Sequence, residues 1–169
     1  MPDPGRPSSD ERDVHSTRYL RAAARVEFQA EELYREVANH LFHAPVIRDT
    51  FSRLAREEGE HAMRLGLLER NQTRLPWSAP AMDQMHADLQ VMAAEFAGLR
   101  KEFARASAPR DPYVMLRRLA EMEDRFSSVH AEILVGDADP RVQNLFLTMA
   151  RQDAEHARLI RWVKKSVAA

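Results

Sequence analysis

The chain is expected to be all-α, a four-helix bundle with an additional crossover helix, and three observations predict it. Apolar residues recur at three- and four-residue spacing through five long stretches, and no stretch alternates as a strand would. Pro45, Pro80, Pro112 and Pro140 each stand at the head of a stretch, where a missing N–H and a fixed φ suit the first helical turn. The first two stretches are also echoed by the last two, so one helical hairpin is used twice.

Taken in order, residues 1–10 are rich in Pro, Ser and Gly and predict a disordered tail ahead of a single helical domain over 11–169. The helices are predicted over 11–42, 45–72, 80–106, 111–135 and 139–166. Residues 11–72 and 111–166 are the two hairpins, and 80–106 is the crossover helix. Asp111 and Asp139 precede two of the helices as N-caps. Gly136 suits a helix C-terminus. The crossover helix carries Met82, Met85, Leu89, Met92, Phe96, Leu99 and Phe103 on one stripe, which is expected to be packing surface. His86 lies near that stripe without a ligand partner at helical spacing and is left out of any site.

The totals narrow the function. A length of 169 residues suits one domain with a real core. The formal net charge of −1 offers no nucleic-acid footprint. No apolar run approaches the roughly 20 residues that span a bilayer, and the opening MPDPGRPSS lacks the apolar stretch of a secretory signal. No membrane partner is therefore expected, and the cytoplasm is the expected location. The chain has no cysteine, which excludes disulfides, zinc ribbons and thiolate redox centres within it.

The repeat picks out charged residues. Laying one hairpin on the other brings Glu27 onto Glu123, Tyr34 onto His130, Phe51 onto Phe146, Glu58 onto Asp153 and His61 onto His156, with one deletion in the connecting loop. The face neighbours of the four acids are apolar: Leu20, Ala23 and Ala30 around Glu27, Phe51, Leu54 and Leu65 around Glu58, Leu116, Leu119 and Phe126 around Glu123, Phe146, Met149 and Ile160 around Asp153. By the same test Glu57 and Glu121 share faces with arginines and belong to the wet side. Four carboxylates converging in a core would repel one another and lose hydration, at several kcal/mol for each unpaired charge as an order of magnitude. Two divalent cations would neutralise them, and a histidine three residues after the acid on two helices adds one nitrogen ligand per ion. The expected metal ligands are Glu27, Glu58, His61, Glu123, Asp153 and His156. Carboxylate and imidazole together suit two iron ions, with manganese or zinc as substitutes.

These residues resemble the ferritin-like di-iron carboxylate superfamily, whose site takes one Glu from each of two helices and a Glu-x-x-His from each of two others. Glu27 and Glu123 match the single glutamates, and Glu58 with His61 matches one motif. Asp153 with His156 matches the second, with Asp in place of Glu. The runs EFQAEELYREVA and LAREEGEHAMRL look most like rubrerythrin and its relatives. The resemblance covers roughly 16–70 and 113–162.

The resemblance implies an oxidoreductase with a di-iron centre that reacts with hydrogen peroxide or dioxygen. Glu58 and Asp153 would bridge the ions, and Glu27 and Glu123 would cap them. Tyr34 and His130 are candidates for hydrogen bonding to the ligands or for electron relay. Full-length rubrerythrins carry a cysteine-ligated rubredoxin-type centre; without cysteine, this chain would rely on an external electron donor. Rubrerythrins also carry a further glutamate one turn after the position of Glu123, where this sequence has Phe126. The plain six-ligand set is nearer to bacterioferritin. A homodimer is the expected assembly. The alternatives are a ferroxidase-type iron-handling protein, a di-iron hydroxylase and a metal-free helical scaffold.

Overall fold

A computed structural model of the chain describes residues 9–40, 45–105, 112–132 and 139–167. It contains α1 (Ser9–His40), α2 (Pro45–Arg70), α3 (Ala79–Arg105), α4 (Pro112–Glu132) and α5 (Pro140–Val167). No strand occurs among the described residues. The prolines stand where their chemistry predicts: Pro45, Pro112 and Pro140 open their helices, and Pro80 is the second residue of α3. Asp139 caps α5, its Oδ1 accepting the Arg141 N–H at 2.7 Å.

The helix beginnings differ from expectation at α1 and α3. Helix α1 starts at Ser9, so the last two residues of the predicted tail are helical. A serine followed by Asp10 and Glu11 is chemistry that favours a helix start, because acidic residues complement the positive end of the dipole. Helix α3 is capped by Ser78, whose Oγ accepts the Ala81 N–H at 3.4 Å. Asp111, Gly136 and the predicted C-terminal ends of α1, α3 and α4 lie outside the described residues.

Helices α1 and α2 form one hairpin, α4 and α5 the other, and their buried stripes meet in a common core. Phe51, Leu54 and Leu65 of α2, Leu33, Tyr34 and Val37 of α1, Phe146, Met149 and Ile160 of α5, and Leu119 and Phe126 of α4 are all buried in it, with Tyr34 edge-on to Phe51 at 5.5 Å. The seven-residue stripe of α3 is buried as predicted. It closes the open flank of α1 and α4, with Phe96 stacked on Phe126 at 5.8 Å between ring centres. Charged pairs rim that seam: Arg100 reaches Glu32 at 2.5 Å and Glu36 at 2.6 Å, and Arg118 reaches Glu102 at 3.0 Å. The connection after α2 is held down by Trp77, which packs edge-on against Tyr19 at 5.2 Å. No described helix is long and apolar enough to cross a membrane.

Candidate metal centre

Each helix of the two hairpins brings polar side chains into an otherwise apolar stripe. Glu27 (α1), Glu58 and His61 (α2), Glu123 and His130 (α4), and Asp153 and His156 (α5) are all buried, the six predicted ligands with no exposed surface at all. They converge at mid-bundle in two groups that could each hold a metal ion: Glu27, Glu58 and His61, and Glu58, Glu123, Asp153 and His156. Glu58 is common to both. Asp153 belongs to one group only, although it was expected to bridge. The side chain is one methylene shorter than glutamate, and His130 Nδ1–H holds its Oδ2 at 2.7 Å, leaving only Oδ1 to face the interior.

His61 and His156 both turn Nδ1 inward. His61 Nδ1 lies 3.3 Å from Glu58 Oε2, 3.5 Å from Asp153 Oδ1 and 3.8 Å from Glu27 Oε2. His156 Nδ1 lies 2.6 Å from Glu58 Oε1 and 3.5 Å from Glu123 Oε2. The outward nitrogens are held across the bundle: His156 Nε2–H donates to Glu57 Oε2 at 2.8 Å, and His61 Nε2–H donates to Gln152 Oε1 at 3.1 Å. Tyr34 O–H donates to Glu123 Oε1. His130, the repeat mate of Tyr34, places Nε2 3.3 Å from Glu27 Oε1. Each hairpin thus supports an imidazole of the other, and Tyr34 of the first also holds Glu123 of the second.

The role expected for Glu57 is corrected. It was placed on the wet face because Arg53 shares that face, and Arg53 does reach its Oε1 at 2.8 Å. The other oxygen nonetheless contacts His156, and the side chain is only 15% exposed. Gln152 was not foreseen either. A face test on one helix cannot see the neighbouring helix; the available signal was that Glu57 and Gln152 immediately precede Glu58 and Asp153 in the repeat.

Electrostatics follow from the dry surroundings. Burial raises the Glu123 carboxyl to about 8, assisted by the charge of Glu58. Burial likewise pushes Glu27 well up, again with Glu58 adding to it. Burial would also raise Glu58, but the hydrogen bond from His156 and the nearby His61 ring outweigh it and hold that carboxyl well below its usual range. For His61, burial favours the neutral ring, yet the neighbouring carboxyls of Glu27 and Glu58 carry it up to about 11. His156 is raised against burial in the same way by Glu123, Glu57 and Glu58. Without metal, Glu58 therefore sits between two imidazolium rings.

Protons do not satisfy the whole cluster. Both oxygens of Glu27, Glu58 Oε2, His61 Nδ1, Glu123 Oε2 and Asp153 Oδ1 are buried without a hydrogen-bond partner. Buried polar groups are normally paired; of the nine such orphaned atoms among the described residues these six belong to the two groups of potential ligands, and Tyr19 Oη, Gln29 Oε1 and His86 Nδ1 lie outside them. The donor set of carboxylate oxygens with one imidazole nitrogen per group fits two hard or borderline divalent ions.

A helical bundle whose core presents two overlapping carboxylate–imidazole clusters defines a ferritin-like protein with a site fit for a metal pair. Residues 18–72, which contain Glu27, Glu58 and His61, match the model of the Rubrerythrin family. Over that segment the chain is similar to the rubrerythrin family. No curated protein and no solved structure matches the chain.

Proposed function

We propose that the cluster holds two iron ions, with manganese or zinc as substitutes, and that the loaded protein is an oxidoreductase. It would pass electrons from an external donor to hydrogen peroxide or dioxygen. The observation that carries this reading is the set of orphaned ligand atoms on Glu27, Glu58, His61, Glu123 and Asp153, gathered into two metal-sized groups.

Glu58 would join the two positions, with Glu27 and His61 completing one and Glu123, Asp153 and His156 the other. The metal pair would supply the redox chemistry, which no side chain here could supply alone. The protein's part is orientation and dryness. Tyr34 fixes Glu123 from one side and His130 fixes Asp153 from the other. The rings of Phe51, Phe126 and Phe146 stand against Tyr34 and His130 at centroid distances of 5.5 to 6.0 Å and exclude water from these hydrogen bonds. The chain contains no cysteine-held iron centre to relay electrons, so a partner or a small reductant must deliver them.

The test is metal analysis followed by oxidation. Protein reconstituted with ferrous iron under anaerobic conditions is expected to bind close to two ions per chain. Peroxide should then produce a near-ultraviolet diferric band faster than air does. Faster oxidation by air, with continued uptake of ferrous iron, favours iron handling instead. Binding of no metal overturns the reading at its root, and a loaded site inert to both oxidants overturns its redox part.

A further inference from the structure

The two halves of the centre are built alike but not identically, and the difference lies behind the histidines. His61 and His156 occupy equivalent places in the repeat, both presenting Nδ1 to the cluster and Nε2–H to the opposite hairpin. The acceptor for each is the residue just before an acidic ligand: Glu57 before Glu58, and Gln152 before Asp153. At corresponding positions, one imidazole therefore leans on a carboxylate and the other on an amide.

This difference changes what each imidazole offers a metal. A carboxylate accepting the outer N–H draws the proton towards itself and gives the ring partial imidazolate character. The inner nitrogen then becomes a stronger donor. A neutral amide oxygen does this weakly. Gln152 Oε1 is moreover shared with Arg64 Nη1 at 3.5 Å, whereas Glu57 receives Arg53 on Oε1 and keeps Oε2 for His156. The inner ligands point the same way. The His156 group contains three carboxylates, Glu58, Glu123 and Asp153, and the His61 group contains two, Glu27 and Glu58.

We infer that the two metal positions are unequal: the His156 position fills first and holds its ion tightly, and the His61 position is labile and leaves coordination open for a small oxidant. This rests on the two-metal reading above and adds an order to it. Glu57 and Gln152 are positioning residues that set this order through the rings they hold.

Anaerobic titration with Co²⁺, followed by visible ligand-field bands and calorimetry, reads the order without any turnover. The parent protein should bind in two steps separated by about tenfold or more, the usual scale for losing one outer partner of a ligand histidine. His61→Ala should retain the tight step, and His156→Ala only the weak one. Glu57→Gln keeps the shape and an acceptor oxygen, so it should leave folding intact while weakening the first step about tenfold towards the second. Gln152→Glu should tighten the second step, and the exchanged pair, Glu57→Gln with Gln152→Glu, should narrow the gap from both sides. Two equal steps in the parent, or an unchanged gap in Glu57→Gln, overturn the order while leaving the metal pair standing. No Co²⁺ uptake in any protein overturns the two-metal reading and this inference with it.

Discussion

At the residue scale, the metal-free centre stores protons where ions would sit. Glu123 is raised to about 8 by burial and the Glu58 charge, and His61 reaches about 11 despite burial because the carboxyls of Glu27 and Glu58 lie beside it. Glu123, Glu57 and Glu58 raise His156 against burial in the same way. At pH 7 these three groups hold protons that a metal must displace, since ligating nitrogen and carboxylate must be free of them. Metal affinity should therefore climb as pH rises from 6 to 9, and uptake should release protons. Calorimetry in two buffers of different ionisation enthalpy measures that release directly; uptake with no proton release would show that the rings are already neutral. Tyr34 is a second point of control. Its O–H donates to Glu123 Oε1, so Tyr34→Phe leaves a ligand carboxylate free to rotate and should weaken binding at the His156 position by about tenfold. Helix content by circular dichroism should not change, because the ring and its contact with Phe51 remain.

At the element scale, stability can be raised where the helices carry avoidable penalties. Gly98 lies inside α3, and a methyl group added there would meet nothing within 4 Å. Gly98→Ala should stabilise the protein by about 0.5–1 kcal/mol, the usual gap between these residues in a helix interior, read as a shifted urea midpoint. Gln72 offers a comparable gain. It lies two residues beyond the end of α2 with φ at 50°, and the Thr73 N–H returns to Leu68 O at 2.9 Å, a closing turn that glycine ordinarily occupies. Gln72→Gly should relieve about 1 kcal/mol of left-handed strain, less the added freedom of glycine in the unfolded chain. The elements were legible in the sequence because their signals are local. Proline's missing N–H marked the starts of α2, α4 and α5, and the three- and four-residue period marked the buried side of α3. The buried face of the site was legible too, since Glu27 and Glu123 interrupt apolar stripes in register. Glu57 was not, because what takes it off the wet face is His156, nearly a hundred residues away on another helix. Asp153 was legible as an anomaly, but its confinement to one group depends on His130, which only the packing of α4 on α5 brings to it.

At the scale of the whole molecule, the centre sets site against stability. The bundle closes four acids into a core with no exposed surface, and Glu27 has no hydrogen-bond partner on either oxygen. A buried charge or an orphaned carboxyl weakens a fold, by about 1–3 kcal/mol for an unsatisfied buried polar group. Metal reverses the sign, because an ion that binds only the folded chain adds stability that grows with its concentration, about 2.7 kcal/mol at a hundred times Kd. The loaded protein should therefore melt well above the chelator-treated one, and the difference should grow with free metal. Glu27→Leu separates the two effects. Without metal it should be more stable than the parent, since Leu20, Ala23 and Ala30 already line that stripe and the partnerless oxygens are gone. With metal it should gain less than the parent, because the His61 position has lost one of its carboxylates. Thermal melts of both proteins, with and without metal, give the four values needed. If Glu27→Leu is less stable than the parent even after chelation, the carboxyl is satisfied in the metal-free core and the opposition between site and stability fails.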